Sequence, residues 1–480
     1  MAKTFSLKLL IDEKINKVVL AEADQDFVDV LISLLTLPMG KIASLLKNHT
    51  TVLGCFKNLN KSVADMAIDH FNTEACKSML LYPKSTKEIH CRRLKLNLND
   101  TDDATRFYMC PEFFTARSCT KEYRNFSTSR CSCGERMSRE IHIPEADQVG
   151  EVIGDNADGV FVSCRSSFIV TDDLKVSLNS IGDIMKVLKD SGYLCFSDLR
   201  ETLLDVGFEE VLTLLGCLFT SETPLTCAFL KKQCLPKMQK MLSPPVPKTD
   251  SVEPCRVFSV KVFVKKFDRV ILYAECNEDF IESLLTFLIL PLELACSLSN
   301  NNTILGCVGN LCRSPCRRAS ASNFCQIPDY YACINNNNLF GYVCYSSLTY
   351  ECLVPPSVLS SYSFARYFRR PLLPRSFKLV SVCPVNPKVK SGSSPIYETG
   401  FMKKNTKFIV SNDLTITPMN SSSTIGLLKK MEVDFSDLEE HQISISKAEL
   451  INILRASLIS SSALTNGLSS LLLKKPKEET

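Results

Sequence analysis

Residues 21–38 read AEADQDFVDVLISLLTLP, and residues 274–291 read AECNEDFIESLLTFLILP. Both stretches begin with Ala-Glu, contain Asp-Phe at the same position and end on Leu-Pro. Most of the other positions exchange one apolar residue for another. A phrase of this length that occurs twice in one chain indicates a repeated site or a repeated structural unit.

The similarity extends on both sides of this phrase. Aligned without a gap, residues 5–38 and 258–291 share 11 identical residues over 34 positions. Further matches follow in the same order along the chain: Leu53-Gly54-Cys55 with Leu305-Gly306-Cys307, Asn58-Leu59-x-x-Ser62 with Asn310-Leu311-x-x-Ser314, Phe168-Ile169-Val170 with Phe408-Ile409-Val410, Asp173-Leu174 with Asp413-Leu414, and Leu225-Thr226 with Leu464-Thr465. Because the order is preserved, we predict a tandem duplication of a unit of roughly half the chain.

A proline-rich segment separates the two copies. Residues 243–256 read SPPVPKTDSVEPCR, a composition typical of linkers. We predict a first module over residues 1–240, a linker over 241–256, a second module with a more divergent middle over 257–472, and a charged tail over 473–480.

Each copy opens with a β-hairpin pattern. In the first copy, the strand-like runs SLKLLI and KVVLAEA are joined by the polar DEKIN. Asp24 or Asp26 suits the N-cap of the helix that follows. The apolar periodicity of that helix puts Phe27 and Leu31 on one face, together with Leu34 and Leu35.

The later part of the first copy predicts strands at residues 159–171 and 174–178, followed by helices at 180–190 and 198–219. The fold class expected from these elements is α+β. It consists of two tandem repeats, each a small antiparallel hairpin or sheet covered by helices, with a Cys-bearing loop insertion.

Carboxylates recur at matching positions within the two opening stretches. Glu22 and Asp26 of the first copy match Glu275 and Asp279 of the second. Paired acids can act in general acid–base catalysis. Their position just before an apolar helix favours a structural role instead, because negative groups there complement the helix dipole.

Composition limits the class of protein. The net charge of +4 over 480 residues is small for a nucleic-acid-binding protein, although a local basic patch stays compatible with it. The N-terminus lacks the residue order of a secretory signal, and Glu282, Pro291 and Glu293 interrupt the longest apolar stretch. We expect a cytoplasmic or nuclear protein without a transmembrane segment and with reduced cysteines.

Four cysteines lie in the middle of the first copy, within YMCPEFFTARSCTKEYRNFSTSRCSCGERMS: Cys110, Cys119, Cys131 and Cys133. Four thiolates can hold a structural zinc ion and order a loop that has little core of its own. The spacing C-x8-C-x11-C-x-C lacks the paired C-x2-C units of common zinc modules, so reduced, partly buried cysteines are the alternative. The second copy has a different pattern: Cys312, Cys316, Cys325, Cys333, Cys344 and Cys352.

Basic and aromatic residues are interleaved over the same segment, residues 106–139. Basic side chains bind phosphates and aromatic rings stack on bases, so this composition suits single-stranded nucleic acid. The candidate contacts are Arg117, Lys121, Arg124 and Arg130.

The order of these motifs resembles a plant family known only as domain of unknown function 674. The resemblance rests on F-S-L-K-L-L-I-D, A-E-A-x-x-D-F-V-D, L-P-x-G, N-L-x-x-S, a Cys-bearing middle and F-I-V-x-D-D-L, and it covers nearly the whole chain in two copies. It implies plant origin and a duplicated module, and it implies no activity.

Catalytic motifs are not apparent in the sequence. None of the five histidines sits in a nucleophile elbow, and the phosphate-loop, dinucleotide-binding and H-E-x-x-H patterns do not occur. We therefore favour a non-catalytic interaction or regulatory protein with protein partners and a structural zinc ion, while an enzymatic role stays open. Binding of single-stranded nucleic acid is the alternative, and an unrecognised hydrolase or thiol enzyme is the third hypothesis.

Overall fold

The structure is a computed structural model that describes most of both halves of the chain. The described residues are 4–47, 53–85, 87–98, 106–114, 122–124, 127–131, 133–141, 159–162, 167–230, 257–298, 305–314, 350–354, 378–384, 400–420, 425–426, 429 and 435–472.

The strands, in chain order, are β1 (Phe5–Asp12), β2 (Lys17–Ala23), β3 (Phe107–Met109), β4 (Glu122–Arg124), β5 (Arg139–Ile141), β6 (Phe168–Thr171), β7 (Val176–Leu178), β8 (Leu199–Val206), β9 (Phe258–Lys265), β10 (Ile271–Asn277), β11 (Tyr350–Val354), β12 (Lys378–Pro384), β13 (Lys407–Ser411), β14 (Ile416–Pro418) and β15 (Leu438–Ile445).

The helices are α1 (Gln25–Leu34), α2 (Met39–Leu45), α3 (Gly54–Asp65), α4 (Glu74–Leu81), α5 (Glu88–Cys91), α6 (Ile181–Asp190), α7 (Phe208–Thr220), α8 (Pro224–Phe229), α9 (Glu278–Leu285), α10 (Leu292–Leu298), α11 (Gly306–Cys312), α12 (Lys447–Ile459) and α13 (Ala463–Leu472). Short 3-10 turns cover Ile68–His70, Pro111–Phe114, Thr286–Ile289 and Phe435–Asp437.

Two five-stranded antiparallel sheets have the same layout. The first has the order β7-β6-β2-β1-β8, and the second has the order β14-β13-β10-β9-β15. Their hairpin registers also agree, because Lys8 pairs with Glu22 in the first sheet and Lys261 pairs with Glu275 in the second. The α+β class, with small antiparallel sheets and helices, is therefore confirmed.

A third sheet joins the middle segments of the two halves. Its order is β11-β12-β4-β3-β5, and β12 runs parallel to β4 through the pairs Cys383–Glu122 and Pro384–Tyr123. This sheet was not predicted from the sequence, because no local sequence pattern indicates that strands as distant as β4 and β12 will pair.

Local chemistry explains how α1 begins and what it buries. Asp24 is its N-cap, since the carboxylate accepts a hydrogen bond of 2.9 Å from the amide of Phe27. The expected face of Phe27, Leu31 and Leu34 is buried, but the opposite side is buried as well. The helix therefore lies inside the protein and does not cover its surface.

The helix predicted over residues 198–219 is only partly present. Residues 199–206 form β8, which pairs with β1 along its whole length from Phe5–Val206 to Asp12–Leu199, and α7 begins at Phe208. The prediction was wrong for β8 because the free edge of β1 offers a ladder of backbone hydrogen bonds that local helix propensity does not reveal.

The main apolar core is continuous across both halves. One cluster of buried side chains includes Phe5 and Leu31 of the first half together with Phe280 and Leu468 of the second. A smaller cluster around Leu10 and Ile169 lies between the first sheet and α6. Among the described residues, no helix has both the length and the apolarity required to cross a membrane.

Candidate metal centre

A tight turn brings the sulfurs of two predicted metal ligands, Cys131 and Cys133, within 4.8 Å of each other. The amide of Gly134 donates to the carbonyl of Cys131 at 2.9 Å, and the amide of Cys131 donates to the carbonyl of Glu135 at 2.8 Å. Gly134 has a φ of 93°, which a residue with a Cβ rarely adopts. Gly134 therefore permits the chain reversal between Cys131 and Glu135, which contains Cys133.

The third ligand comes from the strand packed beside this turn. β3 ends at Met109, so Cys110 leaves the sheet next to the turn, and its Sγ lies 3.5 Å from the Sγ of Cys133. The ligand atoms of Cys110, Cys131 and Cys133 all lie within 4.8 Å of one another. Sulfurs around a tetrahedral zinc ion are about 3.8 Å apart, given Zn–S bonds of about 2.3 Å. The three thiols thus have a spacing that a metal ion can bridge.

These thiols form a small apolar cluster that is separate from the main core. Cys110, Cys131 and Met137 are fully buried, and Tyr108 and Cys133 pack against them. A cluster of this size supplies little folding energy of its own. An ion pair of 3.8 Å between Arg136 and Glu74 links it to α4, but both side chains are half exposed and the pair contributes at most about 1 kcal/mol.

The fourth predicted ligand, Cys119, lies outside the described residues, as do Cys316, Cys325, Cys333 and Cys344 of the second half. Cys312 lies at the end of α11 and Cys352 lies on β11. The structure therefore brings three of the four predicted residues together.

The family model described as "Protein of unknown function (DUF674)" matches residues 1–448. The chain belongs to the DUF674 family. No curated protein and no solved structure matches it.

Of the basic residues proposed for nucleic-acid binding, Arg130 has a hydrogen-bond partner within the chain. Arg130 donates from its guanidinium to the carbonyl of Gly134 at 3.0 Å, where it supports the cysteine turn. Arg124 lies on β4, while Arg117 and Lys121 lie outside the described residues. Arg106 is 3.7 Å from Glu140 in another ion pair. The Arg106–Glu140 ion pair offsets one positive charge of the segment, and the Arg130 bond occupies one of the donors that could bind a phosphate.

The repeated carboxylates divide into two groups. Asp26 and Asp279 lie in the first turns of α1 and α9, as the helix-dipole interpretation requires. Glu22 and Glu275 lie on β2 and β10, so the helix interpretation was wrong for them, because the strands continue almost to the helix caps. The Glu22 carboxylate instead accepts hydrogen bonds from Ser167 at 3.0 Å and Asn179 at 2.9 Å.

A buried carboxylate that the sequence analysis missed ties α1 to a distant segment. Asp29 accepts hydrogen bonds from the amides of Val160, Phe161 and Val162 at 2.7, 2.8 and 3.0 Å. Burial raises the pKa of Asp29, and these three amides oppose the rise. Glu282 in α9 makes the corresponding contact, 2.8 Å from the amide of Phe401. The signal available in the sequence was an acid at the same position of both apolar helices.

The Leu-Thr motif has a defined structural role in each half. Thr226 donates its hydroxyl to Asp172 at 2.7 Å and accepts the amide of Val18 at 2.9 Å. In the second half, Thr465 accepts the amide of Ile271 at 2.9 Å, and its own amide donates to Asn412 at 3.0 Å. The motif thus links α8 to the start of β2 in the first half and α13 to the start of β10 in the second half.

The described histidines do not form a nucleophile–base pair. His70 packs edge-on against Phe408, and His441 lies 3.1 Å from Glu439. His90 is largely buried beside Phe161, and burial lowers its pKa to about 4, so it is neutral at physiological pH. His49 and His142 lie outside the described residues.

Proposed function

We propose that this DUF674 protein is a non-catalytic interaction or regulatory protein whose middle segment is held by a structural zinc ion. The observation that carries the proposal is the group of three thiols, Cys110, Cys131 and Cys133, within 4.8 Å of one another in a cluster apart from the main core. Zinc suits such a set because it prefers tetrahedral thiolate ligands.

The burial of the thiols favours a structural metal over a catalytic one. Catalytic zinc sites keep an open position for water or substrate, whereas structural sites are closed by protein ligands. Cys110 and Cys131 are inaccessible to solvent. Cys119 is our candidate for the fourth ligand, which would complete a site of four cysteines.

Metal analysis of the full chain tests the site. Protein purified without chelator should contain about one zinc ion per chain. Cys131→Ser should lose the metal, and Cys119→Ser tests the fourth ligand. Cys195→Ser is the matched control, because Cys195 is exposed and lies far along the chain in the turn after α6. A metal-free wild type, or metal retained by Cys131→Ser, would remove zinc from the proposal.

Replacement of zinc by Co²⁺ gives a second readout. Thiolate ligands to Co²⁺ produce intense charge-transfer absorption, and tetrahedral geometry strengthens the visible bands. Both signals should be present in wild type and in Cys195→Ser, and both should be absent in Cys131→Ser.

Exposed apolar side chains support a protein as the partner. Leu194 is 97% exposed and Ile181 is 80% exposed, and Phe196 and Leu203 are also exposed within the sequence segment 181–203. Several large apolar side chains exposed within one short segment favour contact with another protein. A photo-reactive residue at position 194 should cross-link to protein, whereas one at exposed Lys57 should not. Equal cross-linking at both positions would contradict this assignment.

The absence of catalysis is a separate part of the proposal. It is supported by the contacts of the described histidines, which serve packing and an ion pair. Saturable turnover that a single polar substitution abolishes would contradict it, whether or not zinc is bound.

A further inference from the structure

The prolines that end the two repeated phrases meet each other. Pro38 and Pro291 form an isolated antiparallel bridge. The amide of Met39 donates to the carbonyl of Leu290 at 2.8 Å, and the amide of Leu292 donates to the carbonyl of Leu37 at 2.9 Å. In the aligned copies Leu37 corresponds to Leu290 and Met39 to Leu292. A local two-fold rotation therefore exchanges the two bonds, as in an isologous interface.

The N-L-x-x-S motif of each half binds the other half. The side-chain amide of Asn58 donates to the carbonyl and the carboxylate of Asp413 at 3.1 and 2.9 Å. The amide of Asn310 donates to the same two groups of Asp173 at 2.8 and 3.0 Å. Each helix of the pair, α3 and α11, thus reaches a turn in the other half. The hydroxyl of Ser62 also accepts the amide of Ile416, at 2.9 Å.

The cysteine of the L-G-C motif in each half also contacts the opposite half. The Cys55 thiol donates to the carbonyl of Ser460 at 3.0 Å, and the Cys307 thiol lies 3.6 Å from the carbonyl of Ser221. Burial raises the pKa of Cys55 to about 12, so its sulfur stays protonated and able to donate. Three sequence motifs that recur in both copies therefore make reciprocal contacts between the halves.

The backbones approach closely where these contacts meet. A Cβ on Gly40 would lie 3.0 Å from the carbonyl oxygen of Leu288, which is tighter than an ordinary contact. Two further backbone bonds join the halves away from the proline bridge. The amide of Asn72 donates to the carbonyl of Phe401, and the amide of Lys403 donates to the carbonyl of His70, both at 2.9 Å. The apolar core is continuous through the same region.

We propose that the module is a self-recognition unit: each half binds a second copy of the module through this two-fold surface, and the covalent linker is not required for the pair to hold. In this chain the second copy is the other half. The inference concerns half–half association and does not depend on zinc, whose candidate ligands belong to a separate cluster.

Cleavage of the folded full chain tests the proposal. A site-specific protease sequence is placed within residues 241–256, and the chain carries an affinity tag at its N-terminus. After complete cleavage, the tag should retain the C-terminal half through washing at micromolar concentration, and the two halves should co-elute on size exclusion. Release of the C-terminal half upon cleavage would overturn the proposal.

Substitution of the Asn–Asp contacts tests the assigned surface. Asn58→Asp with Asn310→Asp places carboxylates opposite Asp413 and Asp173 at nearly unchanged volume. After cleavage, the halves should dissociate at least about tenfold faster, since hydrogen bonds to charged groups are stronger than neutral ones. Adding Asp413→Asn and Asp173→Asn restores the side-chain amide–carboxylate pairs with reversed roles. A carboxylate at position 58 or 310 cannot donate to the backbone carbonyl of residue 413 or 173, so only part of the lost association should be recovered.

Matched controls separate this effect from misfolding. Lys57→Ala and Lys61→Ala change exposed residues of α3 and should leave the dissociation rate unchanged. The uncut Asp variants should keep the circular dichroism spectrum of wild type, because the linker maintains a high local concentration of the two halves. Unchanged dissociation in the Asp variants would remove the Asn–Asp contacts from the recognition surface.

Discussion

Leu174 and Leu414 adopt the same unusual backbone conformation, each with a φ of 61°. The left-handed region costs an L-residue about 1–2 kcal/mol. Both side chains are fully buried, and burying a leucine stabilises a protein by about 1.5–3 kcal/mol. Burial outweighs the strain. This explains why leucine can follow Asp173 and Asp413, the aspartates that receive the asparagines of the other half.

Substitutions at Leu174 separate burial from strain. Leu174→Ala and Leu174→Gly both lose the buried side chain and should lower the free energy of unfolding by about 2–4 kcal/mol. At an ordinary position glycine is about 0.5–1 kcal/mol less stable than alanine. Here the glycine variant escapes the strain and should be at least as stable as the alanine variant.

Urea unfolding measures this order. Leu203→Ala is the control, because Leu203 is 72% exposed and its replacement should change stability by less than about 0.5 kcal/mol. A Leu174→Gly variant clearly less stable than Leu174→Ala would contradict the strain argument.

Tyr193 and Asp12 form a pair whose charge state depends on pH. The Tyr193 hydroxyl donates to the Asp12 carboxylate at 2.6 Å. This bond lowers the pKa of Asp12, while burial and then the carboxylate raise the pKa of Tyr193 to about 12. Because the pKa of the folded tyrosine lies above its ordinary value of 10.0, the stabilisation it provides is complete below pH 10 and is lost as the pH rises toward 12.

A spectroscopic titration checks this window. The chain has no tryptophan, so phenolate absorbance in the near ultraviolet reports its 13 tyrosines directly. Subtracting the Tyr193→Phe titration from that of wild type should leave one phenol that ionises near pH 12. Tyr82→Phe, which removes an exposed phenol, controls for the loss of one chromophore. A difference curve centred near pH 10 for Tyr193 would contradict the pair.

At the scale of elements, α12 and α13 pack so closely that a glycine is required between them. A Cβ on Gly467 would lie 2.7 Å from the Cα and 2.8 Å from the amide nitrogen of Ile453. These are backbone atoms of α12, so they can move only if the helix moves. Ile453 of α12 and Leu464 and Leu468 of α13 are buried in the main core.

Gly467→Ala should therefore separate the two helices. We expect a loss of about 1–3 kcal/mol in the free energy of unfolding, because overpacking forces a backbone shift. Gly182→Ala in α6 is the matched control, since the closest atom to its Cβ is the Ser180 hydroxyl at 4.0 Å. That change should be neutral or slightly stabilising. If Gly467→Ala were as stable as wild type, α13 would be able to shift away from α12 at no cost, which would contradict the requirement for glycine.

At the scale of the whole molecule, the shared core couples the two halves. Because one cluster of buried side chains includes both, separating the halves exposes apolar surface on each. We predict one cooperative unfolding transition, with circular dichroism and tyrosine fluorescence changing at the same urea concentration. Two resolved transitions would indicate halves that fold independently.

The thiol cluster provides the internal control for this prediction. Cys110, Cys131 and Met137 are not part of the main core. Cys131→Ser or removal of metal should thus leave the main transition in place while proteolysis within residues 106–141 becomes faster. A large shift in the urea midpoint of the main transition would contradict this separation, because it would show that the thiol cluster contributes to the stability of the main core.

The candidate site could be predicted only in part. Cysteine content pointed to Cys110, Cys119, Cys131 and Cys133 together, but only the turn that holds Cys131 and Cys133 is local. The approach of Cys110 to 3.5 Å from Cys133 depends on the pairing of β3 with its neighbours, and no spacing rule predicts it. The buried carboxylates Asp29 and Glu282 were missed for a similar reason, since their amide partners lie more than a hundred residues away.

The sequence by itself determined the hairpin, a capping acid at Asp24 or Asp26, the apolar helices and the recurrence of the motifs, because these depend on neighbours within a few residues. Only the tertiary structure decided what the motifs contact. The two Leu-Pro ends contact each other, and the Asn–Asp pairs join the two halves. Cys55 and Cys307 each contact a backbone carbonyl of the opposite half. Such contacts require a packed core to position distant segments, and periodicity carries no information about which distant segment that is.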